Sequence, residues 1–580
     1  MSRKRKAMSV DTRCKEYRDI FRVDDNILFC NYCNVSVDWK HKSVIDSHCG
    51  SQKHISNVKK QDDAQNKTQQ LTLSSAQAAA DSKKRLIEDL IEAFAIADIP
   101  LEKVNSLLPF LKKYVKNGGS IPQAPTLRQV YLPNVFDKHY QCLRLFFDSK
   151  PVAIIMDETT DDCARSVVNT LFCYRNETKL VSVDFLGRVN NTTMGQVLTT
   201  IITHFNISFN LPRLFLTDSA AYMKKCYRDV LSPLMPQLIH VPCCAHILNL
   251  IGDTWRTLPQ FRILKDFLDK VKEVFVNSPA RRGRYLSHLK MYGIPSPCKI
   301  PLYNKTRWNS WFRMVSYAKD HIVYWPSFFK EELNNDKRHR TLEAINSCLQ
   351  NVRDLGLITI YVNFISSYAK EFVQDLDFFQ QLKKPVFPFV ELRLQQLTAY
   401  IEMYRNSNEF DPLLENLITQ LRFNPSEIYP IFQAAFEAAY EKFAAHIPNH
   451  PARQLFYSCQ VFDPKFVHNG DISRKNIRQY NLIKEFDNPS DELLREWGVY
   501  CGLDNEFLGD MELDQYWVDK ATQLPILSNI ALDYIWLPIS SCTVERSFSM
   551  YNSLLDSDRQ NLSQDSLKKL SMMYFNGIMT

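Results

Sequence analysis

Four residues near the start of the chain have the types and the spacing to hold a metal ion: Cys30-x2-Cys33-x14-His48-x5-His54. Two cysteines three positions apart can grip one ion from a tight turn. Two histidines six apart can reach it from a helix and its frayed end. Four such nitrogen and sulfur donors close the tetrahedral shell of a structural zinc site. His41 and Cys49 stand near enough to replace one ligand. Phe29, Tyr32, Val44, Ile45 and Ile55 offer a small core of the kind that metal must complete.

A second chemistry is suggested by two aspartates. The apolar run Val152–Met156 ends at Asp157, and the run Arg213–Thr217 ends at Asp218. An acidic side chain at the end of a buried strand sits on the rim of a sheet, where a cation can reach it. Carboxylates suit hard divalent ions, which take their remaining oxygens from water and phosphate. Two such ions can serve an in-line displacement at phosphorus. Taken singly, each residue could equally be a turn or helix-cap aspartate.

The elements needed to position these groups can be read around them. Val167–Tyr174 and Leu180–Leu186 are β-rich runs separated by a turn at Asn176–Lys179. Thr193–Phe205 has helical spacing, and Leu238–Val241 reads as another strand. The predicted order is three strands, a helix, a strand, a helix and a strand. Upstream, Leu86, Ile87, Leu90, Ile91, Phe94 and Ala95 repeat at helical spacing. A second helical segment follows Pro100 and stops at Asn117-Gly118-Gly119. Between finger and helices, residues 61–82 are rich in Gln, Ala, Ser and Asp without an apolar period, and are predicted to be a flexible linker. Downstream, Phe267-Leu268-Val271-Phe275, Tyr361-Phe364-Ile365-Tyr368 and Ile431-Phe432-Ala435-Phe436 mark helices.

Charge points to a polyanionic partner. The net charge is +7, and residues 1–60 hold 13 Lys and Arg against 7 Asp and Glu. Phosphate neutralisation drives such contacts. Arg3-Lys4-Arg5-Lys6 reads as a nuclear import signal or as a solvated basic tail. No apolar run approaches the ~18 residues of a membrane span, and no apolar stretch follows the basic start as in a secretory leader. An intracellular protein is expected, with its 15 cysteines serving as thiols or metal ligands.

Further motifs stand in order along the chain. His240-Val241-Pro242-Cys243-Cys244-Ala245-His246 contains a Cys-x2-His element, and Asn304-Lys305-Thr306-Arg307-Trp308-Asn309-Ser310 an Arg-Trp element. Ser540-Ser541-Cys542-Thr543-Val544-Glu545-Arg546-Ser547-Phe548-Ser549 is followed by Arg559, Leu562, Leu570 and Asn576. With the two aspartates, these resemble the hAT superfamily of DNA transposases over residues 151–580. The finger resembles the BED type. Ile99–Lys103, Val115–Pro122 and Tyr131–Pro133 resemble the vertebrate CGG-triplet-repeat-binding family, over about residues 20–135.

The resemblance implies an α/β ribonuclease-H-like catalytic core interrupted by a large all-α insertion, behind a small zinc finger and a helical module. The expected division is 1–14 basic tail, 15–60 BED-type zinc finger and 61–82 flexible linker. A helical DNA-binding or dimerisation module covers 83–148. The core's first part covers 149–256, the all-α insertion 257–525, and the core's C-terminal part with a dimerisation segment 526–580. By resemblance, Glu545 joins Asp157 and Asp218 as the third carboxylate for two Mg²⁺ or Mn²⁺ ions. Asp218 and Glu545 are 327 positions apart, so the insertion must return the chain to the same sheet. Glu545 is expected on a helix capped by Ser540 or Ser541, with Val544 and Phe548 packed on the sheet. His246, Arg307, Trp308 and Cys243 are the expected DNA-binding set. In it Arg307 meets phosphate, and Trp308 stacks on a base turned out of the duplex or is a core residue beside Trp311. His246 lies beside DNA, and Cys243 packs.

The implied function is cut-and-paste transposition. The enzyme binds terminal inverted repeats, cleaves with hairpin formation on the flanking ends, and joins 3′-hydroxyls to target DNA. Its partners are double-stranded DNA and at least a second copy of the chain. The alternative is a transposase-derived, non-catalytic DNA-binding regulator.

Overall fold

The computed structural model describes residues 8–276, 278–304, 309–336, 338–468, 472–503, 512–555 and 562–579, without the side chains of 62–77 and 79. Arg3–Lys6, Arg307, Trp308 and Arg559 lie outside the described residues. The chain divides into two units, one of residues 1–94 and 99–132, the other of 95–98 and 133–580.

The first unit opens with helix α1 (Val10–Glu16) and a three-stranded antiparallel sheet, β1 (Phe21–Asp24), β2 (Ile27–Cys30) and β3 (Ser36–Val37). Asp25 and Asn26, both at positive φ, make the two-residue turn between β1 and β2. Strand alternation puts Leu28 and Cys30 inside, with Val10, Phe21, Val37 and Ile45. Of the expected core, Ile45 is fully buried and Tyr32 packs against the cluster, but Val44 and Ile55 are exposed. Phe29 falls on the outer face of β2, beneath the Arg22 guanidinium.

Helix α2 (Lys42–Cys49) completes the finger, and α3 (Gln52–Ile96) runs 45 residues beyond it. The expected flexible linker, 61–82, is therefore helical. Its lack of an apolar period points to a flexible linker, but it contains no Gly or Pro and is rich in the helix formers Ala and Gln. Helix α4 (Lys103–Tyr114) follows and is closed by Asn117 in the left-handed region, φ 65°. Gly118 is required there, since a Cβ would lie 2.0 Å from the Leu111 carbonyl oxygen.

The second unit holds a mixed five-stranded sheet: β4 (Ala153–Thr160), β5 (Ser166–Tyr174), β6 (Glu177–Leu186), β7 (Leu214–Thr217) and β8 (Ile239–Pro242). The spatial order is β6-β5-β4-β7-β8. The hairpins β4–β5 and β5–β6 are antiparallel, while β4–β7 and β7–β8 are parallel. Buried on both faces, β7 and the first half of β4 are continuous apolar runs. The turn before β6 is tighter than expected: Tyr174 pairs with Glu177, leaving only Arg175 and Asn176 between them. Helix α5 (Leu132–Phe147) precedes the sheet, α6 (Asn191–His204) joins β6 to β7, and α7 (Ala221–Cys226) begins the return to β8.

After β8 every described element is helical. The three expected helices fall in α9 (Arg262–Val276), α10 (Val352–Tyr368) and α11 (Pro425–His446), preceded by α8 (Cys244–Thr257). Trp255 of α8 anchors this body. It is 1% exposed, donates its indole N–H to the Ala435 carbonyl at 2.7 Å, and stacks on Phe364. Helices α12 (Cys542–Leu554) and α13 (Gln564–Asn576) close the chain, α12 lying against β4 and β5, α13 against β6. No helix among the described residues is long and apolar enough to cross a membrane.

Candidate functional site

The sheet brings two of the expected carboxylates side by side. Ile155 of β4 pairs in parallel with Leu216 of β7, so Asp157 and Asp218, two positions on, stand at one level on neighbouring strands. Strand β7 stops before Asp218, whose Oδ1 accepts the Ala220 N–H at 3.0 Å. Strand β4 does not stop at Asp157. Its antiparallel partner β5 continues the ladder to Thr160, past the end of the apolar run. Helix α12 adds the third carboxylate, Glu545, in its first turn.

The three groups feel one another. Burial raises the Asp157 carboxyl to about 7, and the charges of Asp218 and Glu545 push in the same direction. Burial also raises Glu545 to about 7. Like charges withdrawn from water resist ionisation until a cation compensates them. Carboxylates are donors of the kind that hard divalent ions take, but among the described residues these three do not form a ligand cluster of the kind that Cys30, Cys33, His48 and His54 make.

Helix α12 is held by polar clamps. Ser541 stands at its N-cap, but no side-chain cap bond forms; the Ser541 backbone N–H instead donates to the Cys243 sulfur at 3.2 Å. Cys243 also accepts the His246 N–H at 3.3 Å and donates its own N–H to the Thr217 carbonyl at 2.9 Å. Its thiol is wholly buried and raised by burial to about 11. That corrects its place in the expected DNA-binding set, because a fully enclosed sulfur cannot touch DNA; its role is packing. Farther along α12, Ser547 accepts from the Asn169 amide at 2.7 Å, and the Tyr551 hydroxyl donates to Asp161 at 2.9 Å. Val544 and Phe548 are buried, as expected.

His246 lies half-buried on α8. Burial lowers its affinity for a proton, and the Asp218 charge opposes that shift. The Arg-Trp element is described only at its edges. Asn304 and Asn309 border a cavity of about 110 Å³, shared with Asn249, Asp253, Arg256 and Tyr303. Trp311, beside the element, is a core residue.

Sequence reasoning missed Asn169, Asp161, Tyr551 and Tyr222. The Tyr222 phenol is held in its neutral form by burial and by the charges of Asp218, Glu158 and Asp157. Only Asn169 carried a visible signal, an amide inside the run Val167-Val168-Asn169-Thr170-Leu171.

In the first unit, Cys30, Cys33, His48 and His54 bring one ligand atom each to within 4.8 Å of one another. The His54 Nδ1 lies 3.3 Å from the Cys30 sulfur and 3.5 Å from that of Cys33. A zinc tetrahedron with bonds of ~2.0–2.3 Å has edges of ~3.5 Å. The His48 Nε2 is buried with no hydrogen-bond partner among the described residues, as an atom reserved for metal would be. The two histidines come from separate helices, His48 from α2 and His54 from α3, and not from one helix and its frayed end. His41 is exposed at the start of α2, and neither it nor Cys49 belongs to the cluster.

Comparison with known proteins assigns the chain in segments. Residues 4–60 match the CGGBP1 N-terminal domain and 77–134 the CGGBP1 helical domain. Residues 241–355 match the ZBED1 RNase-like helical domain, and 499–576 the hAT family C-terminal dimerisation region. CGG triplet repeat-binding protein 1 of Mus musculus is 36% identical over 137 residues, 23% of this chain and 82% of that protein. The putative AC transposase of Zea mays is 18% identical over 422 residues, 66% of this chain and 51% of that protein. The putative AC9 transposase of Zea mays is 20% identical over 444 residues, with 66% and 52% covered. The chain thus spans about half the length of the two maize proteins. It belongs to the hAT transposase family, and its first quarter is of the CGG triplet repeat-binding protein type.

Proposed function

We propose that the chain is a cut-and-paste DNA transposase acting in the nucleus. In this reading the sheet with α12 is a ribonuclease-H-like core, residues 257–525 are its insertion, and the finger is of the BED type. The reading is supported by Asp157 and Asp218 standing at one level on neighbouring strands, and by the charges of Asp218 and Glu545 both acting on Asp157. A core built only for stability gains nothing from two carboxylates that burial raises to about 7.

Asp157, Asp218 and Glu545 would hold two Mg²⁺ or Mn²⁺ ions, which when bound supply the charge to activate an attacking oxygen and stabilise the leaving one. Asp157 and Glu545 would give up their remaining protons on binding. Cys243, through Thr217 and Ser541, keeps Asp218 and Glu545 in register. His246 would face the DNA next to Asp218. Arg307 would contact phosphate and Trp308 would stack on an unpaired base during hairpin formation, worth ~1–3 kcal/mol. The finger, zinc-bound through Cys30, Cys33, His48 and His54, would bind duplex DNA, and the 499–576 region would pair two copies to hold two transposon ends.

The test is cleavage of an end-labelled duplex carrying the element's terminal repeat, by full-length chain with Mg²⁺ or Mn²⁺. Wild type is expected to cut and leave flanking hairpins, while Glu545→Ala binds the same duplex without cutting. Equal cutting by Glu545→Ala would remove Glu545 from the site.

A second reading, a non-catalytic DNA-binding regulator, is favoured by the 36% identity of the first quarter to a protein named for binding CGG triplet repeats. Tight binding of the terminal repeat, or of CGG repeats, without cleavage by wild type would select it.

A further inference from the structure

Asn169 sits in the middle of β5, where the burial is complete and a valine or isoleucine would be the ordinary choice. It is the cross-strand partner of Asp157. Directly opposed residues of an antiparallel pair project from the same face with Cβ atoms ~4.5–5.5 Å apart, so the amide and the carboxylate leave the sheet together. That face is the one covered by α12, because the Asn169 Nδ2 donates to Ser547 Oγ at 2.7 Å. The Ser547 hydroxyl spends its own proton on the Val544 carbonyl at 2.6 Å, so its oxygen can only accept. This settles which end of the amide faces the helix.

The other end is left over. Asn169 Oδ1 is buried and has no hydrogen-bond partner among the described residues. An amide carbonyl enclosed without a donor costs ~1–3 kcal/mol. The bond to Ser547 explains the amide nitrogen and leaves this oxygen unexplained. It stands beside Asp157, on which the charges of Asp218 and Glu545 act; once these carboxylates are ionised, as cation binding requires, they offer it acceptors and no proton. A donor must come from something the carboxylates themselves attract. The waters retained by a hard divalent cation are such donors.

We infer that Asn169 is a positioning residue of this site: its Oδ1 accepts from a water bound to the cation held by Asp157, Asp218 and Glu545, while its Nδ2 fixes α12 through Ser547. The inference rests on the carboxylate reading above. It adds a fourth polar member, from the one central strand that contributes no carboxylate to the cluster.

The test is Mn²⁺ binding by the zinc-loaded full chain, followed by electron paramagnetic resonance of the free ion, with Asp157→Asn defining the binding that belongs to the site. Asn169→Val suits a buried strand and removes the acceptor; it is expected to weaken Mn²⁺ by about tenfold or more, the range for losing an outer-shell partner. Asn169→Asp also loses the donor to Ser547 but keeps an oxygen toward the site, and is expected to bind at least as tightly as wild type. Ser547→Ala breaks the helix anchor and keeps the oxygen, and is expected to lose less affinity than Asn169→Val. Wild-type affinity in Asn169→Val, or an equal loss in Ser547→Ala or Asn169→Asp, would overturn the inference and leave the carboxylate reading standing. Absence of any Asp157-dependent Mn²⁺ binding in wild type would overturn both. Should Asn169→Val not fold, Asn169→Asp decides alone: binding at least as tight as wild type supports the inference, and weaker binding defeats it.

Discussion

The sulfur of Cys243 accepts the backbone N–H of Ser541 at 3.2 Å, across 298 positions of sequence. The same cysteine bonds through its own N–H to Thr217, the residue before Asp218. One buried residue thus links the end of the strand that precedes Asp218, through its backbone N–H, to the start of the helix that carries Glu545, through its sulfur. The 327 positions between Asp218 and Glu545 make the return of the chain entropically costly, and local fixtures of this kind hold the helix in register once it has returned.

Replacing Cys243 tests that link. Cys243→Ala strips the acceptor from two enclosed N–H groups, those of Ser541 and His246. The expected loss is about 2–3 kcal/mol of stability, with cleavage reduced about tenfold because Glu545 loosens. Cys243→Ser keeps an acceptor and should lose less of both. Melting curves and single-turnover cleavage would check this. Unchanged cleavage in a folded Cys243→Ala protein would show that α12 is positioned without the thiol.

Asn576 makes a second long-range fixture. Its Oδ1 accepts the Leu180 N–H at 2.7 Å, and its Nδ2 donates to the Leu180 carbonyl at 3.0 Å. Pairing between β5 and β6 shifts at this point, since Thr170 faces Ser182 while Leu171 faces Leu180. The asparagine thus satisfies a backbone that the bulge leaves unpaired. Asn576→Ala orphans two buried backbone groups and is expected to cost about 2–4 kcal/mol. Asn576→Asp can accept but cannot donate, and should fall between. A melting transition unmoved by Asn576→Ala would mean that the bulge finds other partners.

How much of this was legible in the sequence depends on where the information sits. Asp157 and Asp218 could be found because parallel strands buried on both faces read as unbroken apolar runs with an acidic stop. The linker at 61–82 was misread because period reports burial, while absence of Gly and Pro reports helix tolerance, and the two signals disagreed there. Asn169 was missed: it is an amide inside an apolar run, but its meaning depends on pairing with Asp157, and register is a property of the sheet. Cys243 was visible beside His246, whereas its bond to Ser541 belongs to the tertiary fold. Glu545 carried no local mark of its own and was reached only through the resemblance of the residues around it.

Acid should destabilise the second unit through three buried histidines. Burial lowers His139, His240 and His450 from 6.5 to about 4. The unfolded chain therefore binds protons that the folded chain refuses, so their stability contribution is full above pH 6.5 and is lost as pH falls toward 4. Each can withdraw on the order of 3 kcal/mol over that range. His139 gives a clean test, because its Nε2 must remain unprotonated to accept from Asn576 at 3.2 Å. His139→Gln offers an acceptor that does not titrate, and should flatten the fall in melting temperature between pH 6.5 and 5. A wild-type melting temperature constant over that interval would exclude these histidines as the acid-sensitive groups.

Zinc removal should affect the first unit selectively. The finger's buried cluster is only Val10, Phe21, Leu28, Cys30, Val37 and Ile45, too few apolar side chains to hold a domain of this size without a further tie. The cluster of Cys30, Cys33, His48 and His54 supplies that tie by joining the end of β2 to α2 and α3. Chelation, or Cys33→Ser, is therefore expected to unfold residues 10–60, to release one zinc per chain, and to weaken duplex binding by about tenfold or more. Hydrogen exchange resolves the effect by segment: protection of Leu28 and Ile45 should vanish, while that of β4 and β7 persists. If Leu28 and Ile45 stay protected without metal, the small core is sufficient alone and zinc is not what holds the finger. If β4 loses protection as well, the chelator is reaching a cation in the carboxylate site or the two units share their stability, and adding Zn²⁺ back without Mg²⁺ or Mn²⁺ would tell these apart.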